Sequence, residues 1–328
     1  MVSTILPVYN RPDMLREAVA SVLAQSYRPI EIIISDDGST DGAGAAADEL
    51  AGKHPEEIRA VHNRNQGAGP AREAGRRIAR GEFVQYLDSD DLLWPRKFEL
   101  QVNVLRQNPK IGAVYGHIRL CRDGEEPCSK PHKWSGREIR HLFPALLVDR
   151  WWNTDCPLWR RDVCDRIGPW SDLRYSQDWE YDARAGALGI ELGYVPEFVC
   201  DQRHHAGPRQ TGHGKWLEPD RRVDFFRTLH DCALKAGVAE DAAEMMHFSR
   251  WVFAQARQCG ELGHSQAADD LFSLARASAQ NRNSMEFRMF AIVSKIFGWK
   301  LLGRLTSSVE RFRGRKSGGQ TLRQSWMN

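Results

Sequence analysis

The stretch that decides the fold is Glu82-Phe83-Val84-Gln85-Tyr86-Leu87-Asp88-Ser89-Asp90-Asp91. Its first six residues have strand character, and an acidic tetrapeptide follows at the strand end, before a helix expected to begin at Trp94-Pro95. Three carboxylates in four residues repel one another unless a cation lies among them, and oxygen ligands suit Mg²⁺ or Mn²⁺ that carries a substrate phosphate. The alternative is a solvated acidic loop that caps the next helix, because Asp favours turns and helix starts.

The residues before this stretch alternate between strand and helix patterns. Strands are predicted at residues 3–6, 30–34 and 58–62, and helices at residues 12–23 (capped by Asn10), 43–50 and 70–80. This order predicts an α/β fold with a mainly parallel sheet flanked by helices, in which ligands bind at the carboxyl ends of strands. Polar loops at residues 7–11, 36–41 and 88–91 follow predicted strands, so we expect them to share one rim and one site.

The residues after this stretch divide into a mixed segment and a helical one. Within residues 111–213 the sequence pattern predicts a strand at 111–116 and helices near 137–148 and from Gln177-Asp178. It also predicts short strands on both sides of Pro196. Beyond about residue 215 only helices are predicted, at residues 219–236, 240–259, 265–279 and 285–305. We therefore expect two halves of one α/β domain, 1–110 and 111–213, and an all-α extension, 214–328.

Composition limits the class of protein and its compartment. The 328 residues are 41% hydrophobic and 27% charged, as in ordinary globular proteins, and a net charge of +3 does not indicate a nucleic-acid partner. The seven cysteines include no C-x-x-C, which argues against a disulfide framework or zinc ribbon and fits a reducing compartment. Neither a secretory signal nor a membrane-spanning stretch is recognisable, so we expect a cytoplasmic protein.

The loops, in this order, resemble family 2 glycosyltransferases of the GT-A fold over about residues 1–212. The resemblance is carried by these segments: Ile5-Leu6-Pro7-Val8-Tyr9-Asn10, Ser21-Val22-Leu23-Ala24-Gln25-Ser26-Tyr27, Asp36-Asp37-Gly38-Ser39-Thr40-Asp41, Asn65-Gln66-Gly67, Ala71-Arg72, residues 81–91, Ile167-Gly168-Pro169-Trp170 and Gln177-Asp178-Trp179-Glu180. It implies an inverting, metal-dependent transfer of sugar from a nucleotide-diphosphate sugar, with a UDP-sugar expected, to a hydroxyl of a glycan or lipid-linked glycan. Residues 1–110 would bind the nucleotide sugar and residues 111–213 the acceptor. Glu73, Trp170 and Gln177 depart from the usual family pattern.

The resemblance assigns the acidic tetrapeptide to a metal site for Mn²⁺ or Mg²⁺. Asp90 would be the metal ligand, and Asp88 would contact the ribose or a metal-bound water. Asp91 is expected to cap the following helix. His205 would complete the metal or diphosphate site, because a neutral imidazole can bind Mn²⁺ and a charged one can pair with phosphate; His204 is the competing choice.

The nucleotide is expected to meet residues from the other loops. Pro7-Val8-Tyr9 would line the base and ribose, and Asp37 would accept an N–H of the base. Ser89 is placed beside the donor with Asp88. Arg72 would meet the nucleotide or its phosphates, and the alternative is a surface arginine on a helix.

The resemblance selects Asp178 as the expected catalytic base, which takes the proton of the acceptor hydroxyl as its oxygen attacks the anomeric carbon. Glu180 is two residues further along the same helix and therefore points to a different face. The alternative for Asp178 is a carboxylate that only meets the helix dipole. Three tryptophans are candidates either for stacking on acceptor sugars or for the core: Trp151, Trp152 and Trp159.

The C-terminal segment is basic and amphipathic. Residues 295–316 contain seven Lys or Arg against Glu310 alone, a local charge of +6: Lys295, Lys300, Arg304, Arg311, Arg313, Arg315 and Lys316. An apolar stripe is predicted at Phe290, Val293, Phe297 and Leu301. Such a helix can lie on an anionic membrane surface, here the cytoplasmic face. The alternative is a helix packed on the catalytic domain, followed by a disordered end.

Two other functions compete with glycosyl transfer. A sugar-nucleotide nucleotidyltransferase would need a glycine-rich loop with Arg and Lys after the first strand, where this chain has Pro7-Val8-Tyr9-Asn10. A non-catalytic nucleotide-sugar-binding protein would be expected to lack Asp90 or Asp178, and both are present. NAD-dependent chemistry is disfavoured because no G-x-G-x-x-G follows the first strand.

Overall fold

The computed structural model describes residues 1–205, 218–279 and 285–312, and the chain forms two compact units. The first unit contains Met1–Leu142 and the described residues from Trp151 to 205. The second contains Phe143–Arg150 and the described residues from 218 onward. The predicted division at residue 110 concerns function within the first unit and stays a prediction.

The first unit is an α/β structure, as predicted. Its strands are β1 (Val2–Val8), β2 (Ile30–Asp36), β3 (Ile58–His62), β4 (Phe83–Tyr86), β5 (Leu92–Leu93), β6 (Ile111–Arg122), β7 (Leu158–Arg160) and β8 (Glu191–His204). Its helices are α1 (Pro12–Leu23), α2 (Ala43–Lys53), α3 (Ala68–Ile78), α4 (Lys97–Gln107), α5 (Arg161–Ile167) and α6 (Gln177–Ala187).

The strands form one mixed, mainly parallel sheet in the order β3-β2-β1-β4-β7-β6-β8-β5. Parallel pairs join β1 to β2 and β4, β2 to β3, and β6 to β8, whereas β4–β7, β6–β7 and β5–β8 are antiparallel. All residues of β1 and β2 are buried, as expected for β-branched runs covered on both faces. The strand order reverses at β1, between β2 and β4, and the carboxyl ends of β1 and β4 mark the ligand crevice of such sheets.

Four local predictions were wrong. Residues 137–148 do not form a helix: they divide between the two units, and only a 3₁₀ turn, Ala145–Leu147, is present. Tyr115 binds the backbone of this segment instead, because its hydroxyl donates to Arg137 O (2.8 Å) and accepts from Ile139 N (2.7 Å). The helix expected at residue 94 begins at Lys97, after β5, and one strand, β8, runs through Pro196.

The fourth error concerns Asn10, which does not cap α1. The helix begins at Pro12, with Arg11 in the N-cap position and a left-handed backbone (φ 80°). Asn10 also has a positive φ of 58°, and its Oδ1 accepts from Thr40 N (2.9 Å). The side chain therefore joins two loops rather than closing the end of a helix.

From residue 218 onward the second unit is helical in its described residues, as predicted. Its helices are α7 (Pro219–Lys235), α8 (Ala243–Glu261), α9 (Ser265–Ala279) and α10 (Met285–Phe312), and α10 is interrupted at Gly298 (φ 73°). Edge-to-face aromatic pairs fill its core, with Phe226 4.6 Å from Trp251 and Phe253 5.0 Å from Phe287, measured between ring centroids. No helix within the described ranges is long and apolar enough to cross a membrane.

Candidate active site

The three polar loops meet at one rim of the sheet, as predicted. Asn10 N donates to Ser39 Oγ (2.8 Å) and Arg11 N donates to Asp41 Oδ2 (2.6 Å), which joins the loops after β1 and β2. Arg11 Nη1 then donates to Asp90 Oδ2 (2.9 Å), which joins the loop after β1 to the acidic tetrapeptide. Sequence reasoning gave Arg11 no role in the site, although it is the last residue of the first polar loop, 7–11.

Asp90 and His205 form a pair at this rim. His205 Nε2 lies 3.2 Å from Asp90 Oδ2, and the two side chains are 5% and 18% exposed, respectively. His205 Nδ1 is buried and has no hydrogen-bond partner among the described residues. His204 is the last residue of β8, in register with Arg122. Of the two histidines considered for the metal, the geometry therefore brings His205 to Asp90.

This pair has the donor chemistry of a divalent-metal site that substrate completes. Among the described residues, no group of three or more His, Cys, Asp or Glu side chains is arranged to hold a metal ion. A carboxylate nevertheless suits Mn²⁺ or Mg²⁺, and an imidazole suits Mn²⁺, in sites where phosphate oxygens and waters supply the other ligands. The unpartnered ring nitrogen of His205 also fits a site that a ligand completes.

Arg72 is buried beside Asp88, so the alternative of a surface arginine was wrong. Its side chain is 3% exposed, its Nη2 donates to Asp88 Oδ1, and its guanidinium lies 4.7 Å from the ring centre of Trp170. Trp170 is itself held by stacking on Tyr181, with centroids 4.1 Å apart and an interplanar angle of 8°. The Nε and Nη1 groups of Arg72 are buried without a partner among the described residues. A buried cation with two unsatisfied donors suits an anionic ligand.

The position of Arg72 depends on a close approach by α3. A Cβ on Gly69 would lie 2.1 Å from Ser171 O, so only glycine lets the start of this helix approach that loop. Gly67, the N-cap residue just before α3, has φ 99° and donates its N–H to Asp37 Oδ2 (2.8 Å). The glycines thus place the first turn of α3, and Arg72 with it, against the rim.

Asp37 organises the neighbouring loop. Its two carboxylate oxygens accept from Gln66 N (2.9 Å) and Gly67 N, and burial raises its pKa while these hydrogen bonds oppose the rise. Of the predicted nucleotide contacts, Val8 is 1% exposed at the end of β1, whereas Tyr9 is 46% exposed. Pro7 and Ser89 are also buried. Tyr9 is therefore the member of its run with a free surface for a ligand.

Asp91 does not cap a helix, contrary to the prediction. It is buried, and its Oδ1 accepts from Arg203 N (2.8 Å), which ties the acidic loop to β8. Sequence reasoning also missed two fully buried charges in this unit, Lys97 and Asp155. Lys97 Nζ donates to Cys156 O (2.6 Å), and burial raises the pKa of Asp155 to about 6. No local pattern marks these residues.

Asp178 lies in the first turn of α6, and its Oδ1 accepts from Trp179 N (2.8 Å). Glu180 is buried and accepts from Arg184 Nε (2.7 Å) and Nη2 (3.0 Å), so it is committed to an ion pair. Asp178 is half-buried and thus keeps more exposed surface than Glu180 does.

The three tryptophans have separate surroundings. Trp152 and Trp159 are 0% and 1% exposed and belong to the core, so the stacking alternative does not hold for them. Trp151 is partly exposed and stacks on Trp134 with centroids 5.6 Å apart. Of the three, only Trp151 presents surface to a ligand.

Comparison with known proteins identifies the class. Residues 3–158 match the sequence profile described as glycosyl transferase family 2, and this part of the chain belongs to that family. An uncharacterized glycosyltransferase of Rickettsia bellii is 40% identical over 121 residues, which are 37% of this chain and 17% of the relative. One of Nostoc sp. is 30% identical over 179 residues, 53% of this chain and 55% of the relative. The chain thus spans little more than half of the Nostoc relative and less of the other.

A solved structure supports the fold. S. aureus TarS 1-349 in complex with UDP-GlcNAc superposes with a TM-score of 0.69 at 16% sequence identity, covering 97% of this chain and 93% of that chain. The same protein in complex with UDP gives a TM-score of 0.67. The GT-A fold expected from the sequence is confirmed.

Proposed function

We propose that this protein is an inverting glycosyltransferase that moves a sugar from a nucleotide-diphosphate sugar to an acceptor hydroxyl. The observation that carries the proposal is Arg72, a buried cation with two unpartnered donors at the rim that also holds Asp90 and His205. The leaving diphosphate develops negative charge in the transition state, and preorganised donors aimed at that charge accelerate the reaction. Arg72 would bind these oxygens without having to be desolvated when the donor arrives.

Asp90 and His205 would hold Mn²⁺ or Mg²⁺. When bound there, the metal supplies positive charge to the diphosphate and orients it. Arg11, which pairs with Asp90, would remain beside the site as a second cation. Asp88 would orient Arg72 through their ion pair and contact the ribose or a metal-bound water.

The donor is proposed to be a UDP-sugar. TarS, which shares the fold, is in complex with UDP-GlcNAc. Asp37 would accept an N–H of the base: each of its carboxylate oxygens accepts one backbone hydrogen bond and has a second lone pair. Tyr9, exposed next to β1, would stack on the base or ribose.

Asp178 would act as general base. As the acceptor oxygen forms its bond to the anomeric carbon, the bond from that carbon to the diphosphate breaks, and the hydroxyl proton passes to Asp178. The acceptor is proposed to be a glycan or lipid-linked glycan, with Trp151 as a stacking surface. All seven cysteines are free, which supports a cytoplasmic location.

A donor screen tests this proposal. The protein is incubated with UDP-, GDP- and other nucleotide sugars with Mn²⁺, Mg²⁺ or chelator, and release of nucleoside diphosphate is measured. We expect Asp178→Asn to lower turnover at least about 100-fold while UDP still binds, because general base catalysis contributes about 10²–10⁴-fold. Asp13→Asn, at a side chain 95% exposed on α1, is the matched control.

Three outcomes contradict the proposal. The enzyme interpretation fails if no donor is bound or turned over. The role of Asp178 fails if its Asn variant keeps normal turnover. In a parallel incubation with a nucleoside triphosphate and a sugar 1-phosphate, release of pyrophosphate indicates a nucleotidyltransferase.

A further inference from the structure

Helix α10 of the second unit presents a large apolar surface to solvent. We call this surface the α10 face, and its members are 48–66% exposed: Met289, Ile292, Ile296, Phe297 and Leu301. Before the interruption at Gly298, Met289, Ile292 and Ile296 are spaced by three and four residues, so they lie on one side of the helix. Large contiguous apolar surfaces of this kind mark interaction sites in soluble proteins.

The exposure is not the result of a loosely attached helix, because the opposite side of α10 is well packed. Phe287 and Trp299 are 6% and 3% exposed. The rings of Phe287 and Phe290 lie 5.0 and 4.9 Å from that of Phe253 on α8, and Trp299 Nε1 donates to Asp269 Oδ1 on α9 (2.7 Å). Gly260 of α8 lets Trp299 approach, since a Cβ there would lie 2.9 Å from the Trp299 Cβ.

This packing changes the predicted apolar stripe. Phe290 turns inward to Phe253, whereas Ile292 and Ile296, which were not in the stripe, are 60% and 66% exposed. Phe297 and Leu301 remain on the outside, as the stripe placed them. The face is therefore broader and more apolar than the sequence pattern indicated.

Within the stretch of α10 that carries the α10 face, the charged residues are all positive; Glu286 precedes this stretch, and Asp269 of α9 accepts from Trp299. Between Phe287 and Val309 the sequence contains no Asp or Glu. Arg288, Lys295 and Lys300 are exposed, and Arg288 and Lys295 are seven residues apart, so they share one flank of the helix. A second copy of α10 would bring cations against cations, whereas an anionic surface would pair with them.

We propose that the α10 face binds the surface of an anionic lipid bilayer, with the apolar side chains in the headgroup region and the lysines against acidic headgroups. An apolar face with cationic flanks on a helix that does not span is the composition of an interfacial membrane helix. The binding is independent of the proposed sugar transfer and needs neither donor nor metal.

Co-sedimentation of the full chain with vesicles tests the proposal. One set of vesicles contains phosphatidylglycerol and phosphatidylcholine, and the other phosphatidylcholine alone, without nucleotide or metal. We expect binding to the anionic set that weakens as salt is added, because surface charges are screened. Lys295→Gln with Lys300→Gln should weaken it about 25-fold, since each basic residue near the surface contributes about 1 kcal/mol, or about fivefold.

Ile292→Gln with Ile296→Gln should weaken binding at least about tenfold through the lost apolar transfer. Leu234→Gln, at a side chain 40% exposed on α7, is the matched control and should bind as the unchanged protein does. The proposal is overturned if the intact chain does not bind anionic vesicles or binds neutral vesicles equally well. It is also overturned if the variant with both isoleucine substitutions binds anionic vesicles as well as the unchanged protein does. A concentration-dependent dimer that the isoleucine substitutions dissociate would also overturn it.

Discussion

Replacement of Arg72 by methionine should weaken nucleotide binding while leaving the ligand-free fold at least as stable. Arg72 is 3% exposed, pairs with Asp88 and lies over Trp170, and two of its donor groups have no partner among the described residues. Methionine keeps much of the apolar stem and can still pack on Trp170. The substitution therefore removes the charge and the donors with little change in volume.

The stability terms of this substitution oppose one another. Loss of the ion pair and of the cation–π contact costs about 1–3 kcal/mol. Removal of two buried, unsatisfied donors returns about 1–3 kcal/mol for each group. Asp88 loses its partner, but its side chain is 34% exposed and water can solvate it. At mid-range these values are about 2 kcal/mol lost and about 4 kcal/mol regained, so we expect the free energy of unfolding of the ligand-free protein to change by no more than about 2 kcal/mol, towards greater stability.

The loss of binding free energy for the nucleotide, in contrast, is not offset by an effect of opposite sign. A hydrogen bond to a charged group contributes about 1.5–3 kcal/mol, and diphosphate would satisfy both free donors. Even one lost bond of about 2 kcal/mol weakens the Kd about 30-fold. Calorimetric titration with UDP and Mn²⁺ measures this change, and urea unfolding without ligand measures the stability. Arg77→Met, at a side chain 71% exposed on the same helix, should leave the Kd unchanged and lower the stability by at most about 1 kcal/mol, through the loss of its ion pair with Glu73.

Two results would refute this reasoning. Unchanged affinity for UDP in Arg72→Met would mean that the unpaired donors do not meet the nucleotide. A loss of more than about 3 kcal/mol of stability without ligand would mean that Arg72 is a structural residue, as for a buried ion pair that loses one partner.

Further expectations concern the packing of α3 and the buried carboxyl of Asp155. Gly69→Ala should destabilise the protein by about 1–3 kcal/mol in urea unfolding, because its Cβ would lie 2.1 Å from Ser171 O. Gly52→Ala, on α2 with nothing within 4 Å, should instead be neutral or stabilise by up to about 1 kcal/mol, and equal stability of the two variants would contradict the close approach. Burial raises the pKa of Asp155 from 3.8 to about 6, so the native state holds this proton more tightly than the unfolded chain does. The stabilisation that the native state gains from this tighter proton binding is fully present below about pH 4. It is lost as the pH rises through about 6, and we expect the free energy of unfolding to fall by about 3 kcal/mol as a result. Asp155→Asn should lack this loss when unfolding is measured in chelating buffer between pH 4 and 7, and an unchanged pH dependence would refute the assignment.

Local sequence patterns determined the strands, the helices and the sheet edge at which the site lies. The β-branched run at residues 30–34 predicted a buried strand, and the structure has one at Ile30–Asp36. The polar loops after β1, β2 and β4 had to meet, because the carboxyl ends of parallel strands lie at one edge of a sheet. Asp178 was placed correctly in the first turn of a helix, since capping and periodicity are local signals.

Long-range contacts decided what the individual side chains do. Asp91 was expected to cap a helix, yet it binds the backbone of Arg203, 112 residues away. Arg72 is buried because glycine lets α3 approach Ser171, and Phe290 turns inward because Phe253 is there to receive it. Propensity and spacing constrain only neighbours within a few residues, whereas burial and pairing depend on which distant segments the sheet brings together. The sequence by itself thus determined the sheet, the rim and the helical C-terminal part, and only the tertiary structure decided which charges are paired, buried or left for a ligand.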